Sequence, residues 1–185
     1  MGKIAIVING KAGVGKDTLC DFVINNYYAT KVSSITPIVK IAKDNGWDGI
    51  KDNKSRRFLS ELKRVFSEYN NLPNMYLLGE IEDFLRSDND IIFAQIREKD
   101  QIDDFIDRIK GMCACCTLLI KTSDINFNEN MIGNDSDDST HGYSYDYVYC
   151  NDKPLVCAEQ DFISYFGELL ANEGVNPRKR ITKEC

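Results

Sequence analysis

The chain has 185 residues, 43% of them apolar, a formal net charge of -6 and an isoelectric point near 4.9. That length suits one well-cored domain and is short for two independent ones, and the acidic balance argues against a nucleic-acid polymer or an anionic membrane as partner, since both need clustered positive charge. With no signal-like leader and no apolar run near the roughly 20 residues that span a bilayer, a cytoplasmic protein with small-molecule ligands is expected.

Ile4 to Ile8 is an unbroken apolar run, β-branched at every position but Ala5, which suits a parallel strand buried on both faces. It leads straight into Gly10-Lys11-Ala12-Gly13-Val14-Gly15-Lys16-Asp17-Thr18, which matches the phosphate-cradling pattern Gly-x-x-x-x-Gly-Lys. Gly10, Gly13 and Gly15 let the backbone curl with its amide hydrogens inward, and the helix that follows aims its positive dipole end at the same point. Lys16 supplies a charge for the β and γ phosphates of ATP. Asp17 stands where a magnesium-touching hydroxyl is usual, and its carboxylate is a suitable hard ligand for Mg²⁺. Thr18 is placed to donate to an α-phosphate oxygen. The alternative is a glycine-rich strand-to-helix turn with a chance lysine, but strand, loop and helix occur in the order the motif requires.

Leu19, Phe22, Val23 and Tyr27 recur at helical spacing, predicting a helix from Lys16 to about Tyr28. A short strand is expected at Lys31 to Ile35, then a helix opened by Pro37 and stopped near Gly46. Phe58, Leu59, Leu62, Val65, Phe66 and Tyr69 form one helical stripe, and Leu77, Leu78, Ile81, Phe84 and Leu85 form a second. Asp90 to Ile96 reads as a third strand ending at Arg97, followed by a helix through Ile102, Phe105, Ile106 and Ile109. Thr117 to Ile120 and Tyr145 to Cys150 give two further strands, and Leu155 to about Leu170 a closing helix. Strands alternating with helices predict a three-layer α/β/α sandwich with a mainly parallel sheet. Thr122 to Ser144 is polar and long for a connection inside a domain, as a lid would be. Asn176 to Arg180 is basic, lacks an apolar face and reads as a frayed tail.

The seven cysteines, at positions 20, 113, 115, 116, 150, 157 and 185, show no disulfide-scaffold spacing, so free thiols are expected. Cys113, Cys115 and Cys116 invite a metal reading, but paired ligand spacings are missing and His141 is the one histidine. Apolar filler at the start of a buried strand is the simpler account.

Taken together, Gly15-Lys-Asp-Thr18 leading into Asp21-Phe22-Val23, Trp47 and Lys51 before Arg56 and Leu59, Arg97 after the third strand, and Tyr145 to Asn151 resemble the phage-type deoxynucleoside monophosphate kinases, within the adenylate-kinase-like P-loop kinases. The order of elements matches over most of the chain, although the phosphate loop alone is a specific motif. The resemblance implies a P-loop fold with a five-stranded parallel sheet in order 2-3-1-4-5. It implies one kinase domain over residues 1–175, with a helical acceptor-binding insertion at about 37–88, a lid-like loop at about 122–144 and a basic tail at 176–185. It also implies transfer of the γ-phosphoryl of ATP, with Mg²⁺, to a nucleoside monophosphate.

On that reading Lys16 and Arg97 serve catalysis, Lys51, Arg56 and Trp47 bind the acceptor, and Asn151 lies near the adenine. Each has a plainer reading as well. Arg57, Glu61, Arg64 and Glu68 could form a solvated ion-pair ladder, Arg97 could pair with Glu98 or Asp100, Trp47 could be a core anchor and Asn151 an ordinary turn residue. Two departures from the family pattern stand out. Gln95 replaces an aspartate two residues before Arg97, and the stretch from Thr122 to Ser144 has no Lys or Arg. A second copy of the chain, in a homodimer, is one source for the missing charge. A P-loop kinase for another phosphorylated metabolite, of phosphomevalonate or dephospho-coenzyme A type, a nucleotide-dependent switch or NTPase, and an ATP-binding module without turnover are the competing functions.

Overall fold

The computed structural model describes residues 2–50, 52–123 and 143–180. Its sheet has five parallel strands, β1 (Ile4–Asn9), β2 (Ala29–Ser33), β3 (Ile91–Gln95), β4 (Ala114–Lys121) and β5 (Tyr147–Cys150), in the order β2-β3-β1-β4-β5. This is the sheet of the P-loop fold, as expected. Six helices accompany it among the described residues: α1 (Lys16–Asn26), α2 (Thr36–Asp44), α3 (Asn53–Asn70), α4 (Leu72–Arg86), α5 (Lys99–Ile109) and α6 (Leu155–Asn172).

The unbroken apolar run of β1 explains the layering. Every residue of β1 is buried, and side chains alternate between two cores. Ile4, Ile6 and Ile8 join Leu19 and Val23 of α1 and Phe162, Phe166 and Leu169 of α6 on one face. Ala5 and Val7 join Leu77, Ile81 and Phe84 of α4 and Ile102, Phe105 and Ile109 of α5 on the other. A third, smaller cluster of Ile38, Ala42 and Leu59 ties α2 to α3, with Trp47 packed against it.

Boundaries differ from expectation where polar contacts intervene. β2 runs from Ala29 rather than Lys31, because its register against β3 starts at the pair Ala29 and Ile91. β5 starts at Tyr147, since Asp146 is used beforehand: its carboxylate accepts from the Thr117 backbone amide and hydroxyl, each at 2.8 Å. One residue, Asn71, separates α3 from α4. It takes φ +53, a left-handed conformation that asparagine tolerates, and its side chain donates to Asp104 of α5 at 2.9 Å. β4 includes Cys115 and Cys116. Burial pushes the Cys115 thiol up to about 12 and the Cys116 thiol higher still, as befits packing groups. Residues 124–142, most of the lid-like stretch, lie outside the described residues.

The frayed-tail reading of Asn176 to Arg180 is overturned. Arg178 donates from Nε and Nη2 to the two carboxylate oxygens of Asp90, at 2.9 and 3.0 Å, and its backbone amide adds a bond of 2.8 Å. Lys179 bridges to Tyr27 in antiparallel fashion, and the Arg178 and Arg180 guanidinium groups lie 4.8 and 5.2 Å from the Tyr28 ring centre. A short basic segment without an apolar face is thus held by charge and aromatic surface supplied from far away in sequence. Asp90 is buried, and Arg178 holds its carboxyl below the usual carboxylate value. A lowered folded-state pKa contributes stability that is present above the unfolded value of about 3.9 and is lost as pH falls through the folded value. Asp90→Asn should therefore lower the urea midpoint at pH 7, with the difference from wild type shrinking towards pH 3. An unchanged difference across that range would show that the charge is not what Asp90 contributes.

Candidate functional site

The phosphate loop forms where β1 meets α1, and three contacts fix it. Asn9, fully buried at the end of β1, accepts from the Gly10 amide at 2.8 Å and donates to the Arg97 carbonyl at 3.1 Å and the Tyr145 hydroxyl at 2.7 Å. Val14 is buried in the core shared by α1 and α6. Asn151, after β5, donates to the Val14 carbonyl at 2.9 Å. The glycines are required where the backbone is closest. Gly10 has φ +148 and a Cβ there would fall on the Ile120 carbonyl oxygen; Gly15 has φ +89 and a Cβ would sit 2.6 Å from Asn151 Nδ2.

Lys16 curls over the loop, its Nζ donating to the Lys11 carbonyl at 2.8 Å and to that of Gly10. Ala12, Gly13, Gly15, Lys16, Asp17 and Thr18 line one side of a cavity of about 640 Å³. The rest of its lining comes from Gln95 at the end of β3 with Arg97 and Glu98 after it, the residues after β2 with Ser34, and one face of α3 with Arg56, Leu59, Ser60 and Lys63. A second cavity of about 560 Å³ opens on the other side of the loop, between Gly13 to Gly15 and the segment Asn151 to Pro154.

Five of the expected site side chains, Lys16, Asp17, Thr18, Arg56 and Arg97, therefore meet around one cavity, and Asn151 contacts the loop from the second. Trp47 does not line the first cavity. Its ring packs against the cluster of α2 and α3 and its Nε1 donates to Ser55 at 3.2 Å, so the core-anchor reading describes it. Lys51 lies outside the described residues. The ladder reading holds for part of α3: Arg64 pairs with Glu61 at 3.3 Å and Glu68 at 2.8 Å, all on the solvent side, while Arg56 faces the cavity.

Gln95 and Asp17 meet directly, the amide donating to the carboxylate at 2.7 Å. Lys31 lies 3.9 Å from the same carboxylate and 2.7 Å from Asp21. Asp17 is 76% exposed, so its second oxygen remains accessible, and an open carboxylate beside a phosphate loop fits a magnesium ion that arrives with phosphate oxygens. Among the described residues no group of three or more His, Cys, Asp or Glu could cage a metal by itself. The sequence reading missed Asn9, Ser34, Lys63 and Glu98. Lys63 could have been found, because Arg56, Leu59, Ser60 and Lys63 follow at steps of three, one and three, a single helix face.

No family model matches the chain, and no curated protein matches it either. Among solved structures, a candidate kinase from Chloroflexus aurantiacus is similar over 93% of this chain and 98% of its own, at 12% identity and a TM-score of 0.55. Shikimate kinase from Aquifex aeolicus is similar over 92% and 97%, at 13% identity and a TM-score of 0.46. A gluconokinase from Sinorhizobium meliloti follows at 11% identity and 0.41, over 92% and 94%. The first likeness shows a shared fold. At these identities and scores none of them speaks to substrate.

Gly10→Ala would have to push the loop off β4 as well as strain φ, whereas Gly46 (φ +92) has nothing within 4 Å of its would-be Cβ. Gly10→Ala is expected to cost about 1–3 kcal/mol more than Gly46→Ala in urea unfolding. Equal costs would mean that the loop is not held against the Ile120 carbonyl.

Proposed function

We propose that the chain is an ATP-dependent phosphotransferase acting on a nucleoside or deoxynucleoside monophosphate. The observation that carries this reading is the convergence of Lys16, Arg56 and Arg97, from three separate elements, on one cavity flanked by the phosphate loop. A triphosphate and a monophosphate repel each other, so bringing them together calls for cations on both sides of the transferring group. A loop of inward amides with Lys16 supplies one side, and Arg56 with Arg97 the other.

Little covalent chemistry falls to the protein in phosphoryl transfer, where positioning and charge neutralisation supply most of the catalysis. Lys16, moved from the loop carbonyls it now contacts, would hold the β and γ phosphates, and Thr18 would donate to the α phosphate. Asp17, with Gln95 against it, would hold magnesium, whose role is to neutralise charge on the phosphate oxygens. Arg97, which lines the same cavity, would bridge donor and acceptor with its planar guanidinium. Arg56, exposed at the opening, would draw in the acceptor phosphate. Asn151 and the second cavity fit the adenine side, since they border the loop opposite the acceptor-side cavity.

The test is incubation of the purified chain with Mg-ATP and each common ribo- and deoxyribonucleoside monophosphate, resolving products by chromatography. A new diphosphate from one or a few acceptors is expected, reduced about 100-fold or more by Lys16→Ala. ADP without phosphorylated acceptor would instead point to an NTPase, and activity surviving in Lys16→Ala would remove the loop from the mechanism.

A further inference from the structure

Lys63 is the one cation of this cavity that is fully taken into the protein. Its side chain is 8% exposed, and its ammonium donates to Ser34 Oγ at 3.0 Å and to Glu98 Oε2 at 2.5 Å. An ammonium has three donors, and these are its two hydrogen-bond partners among the described residues. Ser34, Lys63 and Glu98 all line the cavity, with Arg97 next in sequence to Glu98 and Arg56 two helical turns from Lys63 on the same face of α3.

A purely structural role would make this pair a staple between α3 and the start of α5. As a staple it is a poor choice. Burial outweighs Glu98 and holds the Lys63 pKa below the usual lysine value, and the neighbouring Arg97 adds repulsion. With Lys63 buried and Glu98 32% exposed, solvent weakens the attraction that offsets the ammonium's desolvation, and such a pair is often no better than apolar residues of the same volume. Apolar neighbours were within reach, since Leu59 on the same face is buried against α2. A desolvated cation lining a cavity with two arginines instead has the character of a group kept for an anion.

We infer that Lys63 is a specificity-determining residue for the acceptor, receiving a phosphate monoester at the inner end of the cavity while Arg56 receives it at the mouth, with Glu98 as the intramolecular anion that the acceptor phosphate displaces or shares. This rests on the reading of the cavity as the acceptor site. It also gives Glu98 a definite function: it keeps the ammonium charged and aimed, and it competes with weakly charged ligands, so that a dianion is favoured over a neutral hydroxyl compound.

The test is binding and does not depend on turnover. Protein saturated with magnesium and a non-hydrolysable ATP analogue, which occupies the phosphate loop, is titrated with inorganic phosphate by calorimetry. Wild type, Lys63→Met, Lys63→Arg and Glu98→Gln are compared, and thermal midpoints are recorded for all four. Phosphate affinity should fall at least 10-fold in Lys63→Met and be partly restored in Lys63→Arg. It should be kept or raised in Glu98→Gln, with affinity for the ATP analogue changed less than twofold throughout. The staple alternative predicts the opposite pattern, in which Lys63→Met and Glu98→Gln lower the thermal midpoint alike and neither changes phosphate affinity selectively. That result, equal weakening by both variants, or no phosphate binding by the wild-type complex, would overturn the inference. If phosphate binds as described but no monophosphate is phosphorylated in the turnover assay, the inference on Lys63 stands and the choice of nucleotide acceptor fails.

Discussion

Everything at the site depends on a strand that has no solvent face. β1 is buried along its whole length between β3 and β4, so its end point is fixed by hydrogen bonds on both edges and by packing on both faces. The chain must then leave the sheet within a few residues, and it does so where the Ile120 carbonyl of β4 leaves room for nothing larger than Gly10. Asn9 converts this exit into a joint. A fully buried polar side chain must satisfy its hydrogen bonds internally, and the partners it finds belong to the phosphate loop, the Arg97 backbone and Tyr145. One side chain thereby sets the relative position of three segments that carry or flank the proposed chemistry.

The same constraint divides the surroundings of the loop into two unlike halves. On the side of β4 and β5, short polar contacts hold the backbone in place: Asn151 to the Val14 carbonyl, and Asp152 to the Ser123 amide at 2.6 Å. On the side of β2 and β3, the wall is a helix face joined to the body by the small cluster around Ile38 and by the pair of Lys63 and Glu98. That wall is tied to the body by side chains, with Ser67 of α3 also accepting from Gln101 at 2.9 Å, where the other side of the loop is held through its backbone. That asymmetry would suit the proposed function, in which one substrate is a triphosphate and the other an acceptor to be recognised.

How much of this was legible in the sequence follows from which signals are local. The strand-loop-helix order and the helical stripes depend on neighbours a few residues apart, and they appear in the structure, as does the strand order, which is not local and was implied by the family resemblance alone. Arg56 was favoured over Arg57 because Arg57 falls in step with Glu61, Arg64 and Glu68, and Arg56 does line the cavity. Of the two readings given for Trp47 the core anchor describes it, and the 176–180 segment was misread. A lone tryptophan gives no directional signal, and its neighbours in α2 and α3 claimed it. The basic segment has no periodicity of its own, and its partners Asp90 and Tyr28 are remote in sequence. Lys63 escaped notice because a lysine on an otherwise charged helix is ordinarily solvated, and only its register with Arg56 marks it.

The charge pattern of the cavity explains why Gln95 need not be a defect. Lys16, Arg56, Lys63 and Arg97 share its lining with Asp17 and Glu98. A carboxylate at position 95 would stand within hydrogen-bonding distance of Asp17, as the Gln95 amide now does at 2.7 Å. Two carboxylates that close raise each other's pKa and bind a cation strongly even without a nucleotide. An amide there instead orients Asp17 by donating to it and leaves one negative charge on that side. Fewer fixed anions leave the positive potential of the opposite wall less compensated, which favours a site that must accept a second phosphate beside the first. The amide at Gln95 and the buried ammonium at Lys63 then act in the same direction. One withholds a negative charge near the loop, and the other adds a positive charge at the far wall.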